Sequence, residues 1–136
     1  MKKKLIVLIM VMLLAILLFF QWRHYLESTQ IEIVTFDFED LKGLNILDGD
    51  KKIQVDDSMA YELYALLNEY TMSPRFVKMP KENRLSDFQY SILFWVDNDL
   101  WYILLSDDMN VIYINEDWYV ITDGLEFKDK VINILE

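Results

Sequence analysis

Carboxylates gather in pairs along the second half of the chain. Asp97 and Asp99, Asp107 and Asp108, and Glu116 and Asp117 are followed by Asp123, and Asp48-Gly49-Asp50 stands earlier. Two acids held a few ångströms apart could cut a glycosidic bond, and about six converging oxygens could hold a calcium ion. Neither pattern is complete. A calcium loop needs an unbroken D-x-D-x-D-G…E run, and Asp48-Gly49-Asp50 and Asp97-Asn98-Asp99 are fragments of one. Each pair falls where a turn is required between runs of Trp, Tyr, Ile and Leu. Asp and Asn favour turns because their side chains bond locally and tolerate positive φ. We therefore read the acids as turns and assign neither catalytic residues nor metal ligands.

Other reactive groups are scarce. Cysteine is absent, which excludes disulfides, thiolate metal sites and a Cys nucleophile. The sole histidine, His24, follows Arg23 at the end of an apolar run, which removes a Ser/His/Asp triad and any multi-histidine metal site. No Gly-x-Ser-x-Gly or Walker-type loop exists. Ser28, Ser58, Ser73, Ser86, Ser91 and Ser106 all lack a lysine three positions on. No cofactor and no enzymatic activity are expected.

Two groups of residues could bind a partner. The stretch 71–87 holds both prolines, Pro74 and Pro80, together with Arg75, Lys78, Lys81 and Arg84. A loop that long either pairs its bases with acids elsewhere or offers a contact surface to anionic lipid headgroups, cell-wall polymer or an acidic partner. Trp95, Trp101, Trp118, Tyr102, Tyr113 and Tyr119 either form core and cross-strand pairs or make an exposed patch, since Trp and Tyr lead interface hot spots.

The elements that position these residues begin with a leader. Residues 5–20 are uninterruptedly apolar and follow Lys2, Lys3 and Lys4. At 1.5 Å per residue they span roughly 24 Å, and Gln21, Trp22 and a snorkelling Lys4 bring that close to the hydrocarbon thickness. Small residues of a cleavage site are missing where the run ends, and Trp22 and Tyr25 suit an interfacial belt. The segment 1–23 reads as an uncleaved signal-anchor, with a cleaved peptide as the alternative. The lysines place the amino terminus in the cytoplasm and the remainder outside.

The chain carries 13 Lys and Arg against 23 Asp and Glu. Residues 24–136 keep 9 of the bases and all 23 acids, a formal charge of −14. Such a domain repels nucleic acid. The excess serves solubility or attracts a cationic protein or peptide partner.

After a short connector at 24–30, residues 31–136 read as one α+β domain. Ile31 to Phe38 is β-branched and aromatic and predicts a strand. Asp48-Gly49 predicts a hairpin with arms at 44–47 and 52–55. Met59, Leu63, Leu66, Leu67 and Tyr70 recur at helical spacing after a cap at Asp57 or Ser58. Strands are predicted at 88–96, 100–106, 111–115 and 118–122, joined by hairpin-length turns into an antiparallel meander. A short helix at 125–135 closes the chain.

Alternation within the meander puts Phe88, Tyr90, Ile92, Phe94 and Val96 on one face, and Leu93 and Trp95 on the other. Trp101, Ile103 and Leu105 oppose Leu100, Tyr102 and Leu104. Both faces are thus apolar. One can be covered by helices, and the other must be covered by the first hairpin and the long loop or serve as a binding surface.

The Lys-rich start with the apolar run 5–20, the helix "YELYALLNEY" before a Pro-bearing loop, and the meander ending "WYVITDG" resemble small single-pass proteins of low-GC Gram-positive bacteria that carry a compact extracytoplasmic α+β domain. That resemblance implies a cell-membrane location. The function expected is a membrane-tethered binding module of accessory, inhibitory or immunity type. The alternatives are a cell-wall hydrolase working through paired carboxylates and a calcium-dependent binding domain.

Overall fold

The computed structural model describes residues 1–75 and 88–136. Its first element, α1 (Lys2–Ser28), is 27 residues long and has no buried residue. It is long and apolar enough to cross a membrane, at about 40 Å from end to end. The helix continues through Ser28, so only Thr29 and Gln30 separate it from the sheet.

The strand β1 (Ile31–Glu32) is far shorter than the strand predicted over 31–38. Beyond it the chain turns in, with Ile33 buried and Phe36 against the core, and makes one 3-10 turn at Phe38–Asp40. A β-branched run reads as a strand only if a neighbour takes up its hydrogen bonds, and here β1 has just two paired positions.

The hairpin β2 (Leu41–Asp48) and β3 (Lys51–Ile53) turns at Gly49, whose φ of +61° suits a residue without a Cβ. Asp56 caps α2 (Asp57–Leu67), its carboxylate accepting from the Met59 N–H at 2.7 Å. That is one residue before the expected cap. The stretch expected as a loop opens instead with a strand, β4 (Thr71–Arg75).

The meander is as predicted: β5 (Tyr90–Val96), β6 (Asp99–Leu105), β7 (Asn110–Ile114) and β8 (Asp117–Ile121), followed by α3 (Gly124–Leu135). All strands join one antiparallel sheet of eight in the order β1-β4-β8-β7-β6-β5-β2-β3. The first hairpin therefore does not roof the meander but extends it, through β2 pairing with β5.

Both shorter helices share one face of this sheet, which we call inner. Leu63, Leu66 and Leu67 of α2 and Phe127 and Val131 of α3 meet Ile46, Ile92, Phe94, Ile103, Leu105, Ile112 and Ile121. Trp101 lies among them, its ring 5.5 Å from Phe94 and 5.3 Å from Phe36. A smaller cluster of Phe88, Leu104 and Val111, with Tyr102, Trp118 and Val120, sits apart from this core. Phe88 thus departs from the face that alternation assigned to it, because it precedes the paired strand and is not bound by its pleat.

Lys128 on α3 is buried, and its ammonium donates to Asp107 in the turn between β6 and β7. Asp107 itself is 90% exposed, so water screens the pair. Asp107→Ala leaves the buried Lys128 ammonium without its partner and should cost about 1–3 kcal/mol, whereas Phe94→Ala, at 0% exposure, should cost about 3–5 kcal/mol. Urea denaturation of the two variants checks the ranking.

Burial, reinforced by Asp117, raises the Tyr119 hydroxyl above its ordinary pKa of 10.0. The fold thus favours the neutral phenol. That contribution is complete below 10.0 and is lost as pH rises through the raised value. Tyr119→Phe should flatten the alkaline fall in thermal stability, read by circular dichroism at increasing pH.

Candidate interaction surface

Directly paired residues of antiparallel strands lie on the same face, so the register maps the outer side of the sheet. One row runs Arg75, Trp118, Tyr113, Tyr102, Leu93 and Asn45 across β4, β8, β7, β6, β5 and β2. Within it the Tyr113 ring stands 4.5 Å from Trp118 and 5.8 Å from Tyr102. All three rings are half-buried. A parallel row through Val120, Val111, Leu104 and Ser91 is more enclosed, with Leu104 and Val111 at 4% exposure. The outer face is therefore a partly enclosed apolar floor with an aromatic strip along it.

Trp95 extends this strip toward one end of the sheet, paired with Leu100 on one side and Lys42 on the other. Its exposure of 45% makes it the most open tryptophan of the sheet. The indole rests on Gly43, where a Cβ would lie 3.1 Å from Trp95 Cδ1. Gly43 also has a φ of +64° at the irregularity in β2 between Lys42 and Asn45. A glycine inside a strand signals a bulge or a close approach, and here both occur. Gly43 is the sequence signal for this site.

The expected contact residues separate. Trp95 and Trp118 line the outer face, but Trp101 is only 7% exposed and belongs to the inner core, so it is removed from the contact surface. Arg75 is already engaged. Its Nη1 donates to the Glu27 carbonyl at the end of α1, at 2.8 Å. Lys78, Lys81 and Arg84 lie outside the described residues. Tyr102 and Tyr113 sit at the centre of the strip, whereas Tyr119 packs against the inner core.

Arg75 helps to satisfy α1's last carbonyls. The Ser28 and Thr29 hydroxyls donate to Tyr25 O, the Thr29 N–H donates to Leu26 O, and Arg75 supplies Glu27 O. Terminal helix carbonyls have no partner within the helix, and a cation there also suits the helix dipole. The apolar helix is thereby joined to β4 by a direct bond.

The acids occupy turns. Asp97 (φ 55°), Asn115 (48°), Glu116 (71°) and Asp123 (55°) are all left-handed, a conformation short polar residues tolerate best. Ser106 closes the turn that carries Asp107 and Asp108, its hydroxyl bonded to both backbone groups of Met109. Glu69 and Glu126 meet across a shallow hollow between α2 and α3, where Lys130 stands 3.8 and 3.4 Å from them. Among the described residues no group of three His, Cys, Asp or Glu could hold a metal ion. His24 is exposed on α1.

Gly43→Ala should destabilise the domain by about 1–2 kcal/mol through its left-handed backbone. It should also shift tryptophan emission to the red as Trp95 is lifted from its seat. Urea denaturation followed by fluorescence checks both.

No protein-family model matches the chain, and neither a curated protein nor a solved structure matches it.

Proposed function

We propose that this chain is a single-pass membrane protein whose sheet domain lies outside the cytoplasmic membrane and acts by binding a protein or peptide, without catalysing a reaction. The observation that carries the binding reading is the aromatic strip of Tyr102, Tyr113 and Trp118, with Trp95 beyond it, on the face of the sheet away from α2 and α3. Large half-exposed aromatics with two rotatable side-chain bonds contribute contact area at small entropic cost.

The location reading rests on α1 and on the charges around it. Lys2, Lys3 and Lys4 precede the apolar run, and residues 24–136 carry −14. Retention of the lysines on the cytoplasmic side sends the domain outward. The two-residue link and the Arg75 bond then hold the domain close to the bilayer, where an accessory, inhibitory or immunity-type protein would meet a membrane partner.

The chain lacks cysteine, which permits a clean test of location. Asn98→Cys, in an exposed turn, should react with a membrane-impermeant maleimide in intact cells. Labelling only after lysis would overturn the outward placement. Binding is tested by a photo-crosslinking amino acid at position 95 or 113, with position 125 on α3 as the exposed control. Discrete adducts from the first two positions alone are expected. Equal adducts from all three, or none, would overturn the reading.

A further inference from the structure

Charge at one end of the sheet indicates what kind of partner the aromatic strip takes. Successive turns of a meander alternate between its ends, so the β5–β6 and β7–β8 turns lie at the same end. They carry Asp97, Asp99, Glu116 and Asp117, all exposed, and none is in an ion pair with another described residue. Pairing of Leu41 with Val96 brings the 3-10 turn, with Glu39 and Asp40, to that end as well. Among the described residues of the sheet, the bases at that end are Lys42, opposite Trp95, and Arg75, already bonded to Glu27.

Resting on the binding function proposed above, we infer that the partner is a cationic polypeptide segment. Its Lys or Arg side chains lie over Trp95 and the Tyr102–Tyr113–Trp118 strip and against the carboxylates of the two turns beside them. Aromatic faces attract ammonium and guanidinium groups, and carboxylates at the rim steer and hold the same groups. Apolar side chains between the basic ones would rest against the half-exposed rings themselves. The competing occupants carry the wrong sign. A nucleic acid, an anionic bilayer surface and a second copy of this domain, itself at −14, are all repelled.

The test uses the full chain in nanodiscs of zwitterionic lipid and a short peptide of alternating arginine and leucine, titrated by calorimetry. Binding that weakens as salt rises is expected, with no binding of the matching glutamate–leucine peptide. Neutralising the end in one variant (Asp97→Asn, Asp99→Asn, Glu116→Gln, Asp117→Asn) should weaken binding about tenfold. Trp95→Ala with Tyr113→Ala should do at least as much. A second charge variant neutralises acids elsewhere (Asp108→Asn, Asp123→Asn, Asp129→Asn, Glu136→Gln) and should bind like the parent, since it keeps the rim. Circular dichroism confirms that each variant folds.

Equal losses from the two charge variants, or equal binding of the glutamate–leucine peptide, would overturn the inference. A tenfold gain from Lys78→Ala, Lys81→Ala and Arg84→Ala together would also overturn it, naming this chain's own basic stretch as the occupant. If the arginine–leucine peptide fails while crosslinks at 95 and 113 persist in cells, the binding function stands and only the cationic class falls. If both fail, both fall.

Discussion

An eight-stranded sheet that is apolar on both faces, with helices roofing only one, is the constraint from which the other features of this domain follow. Burial on the inner side is complete for Phe94, Ile103, Leu105 and Ile112, and each such side chain contributes about 1.5–3 kcal/mol by leaving water. The outer side receives no such cover from α2 or α3. Its middle row is enclosed, but Tyr102, Tyr113 and Trp118 keep part of their rings in solvent, and Trp95 keeps nearly half of its surface there. Amphipathic rings suit that position, since Tyr and Trp hold a polar edge in water and an apolar body on the sheet.

The second constraint is the junction with α1. A helix apolar on every side cannot rest against a soluble domain without exposing most of its surface, and α1 buries none of its residues. It is bonded to the sheet at its last turn, where Arg75 reaches the Glu27 carbonyl. Two linking residues leave little freedom for the domain to swing. Whatever surrounds α1 therefore also sets the orientation of β4 and, through the continuous ladder, of the aromatic strip.

The acids matter less as chemical groups than as joints and charge. Left-handed Asp97, Asn115 and Glu116 make tight reversals possible in a chain with only three glycines. Because those reversals alternate between the two ends of the meander, the sheet collects exposed carboxylates beside the open aromatics. Turn formation and surface charge are thus two consequences of one choice of residues.

Local pattern alone determined the apolar leader, the helix from Leu63 to Leu67, the four meander strands and the closing helix, because each rests on a periodicity or a turn that neighbours in sequence produce. Alternation split each strand into two faces, but only the cross-strand register, with Trp101 opposite Phe94 and Leu100 opposite Trp95, sets Trp95 and Trp101 on opposite sides. Which face would be roofed was a tertiary decision: Trp101 is buried because α2, α3 and Phe36 happen to pack on its side, and nothing near it in sequence says so. Long-range pairing likewise made β4 a strand within a stretch that reads as a loop. It left β1 with two residues where eight looked extended, and it turned the first hairpin from a cover into an extension of the sheet. Strand hydrogen bonds belong to partners distant along the chain, so only the folded sheet could settle where they form.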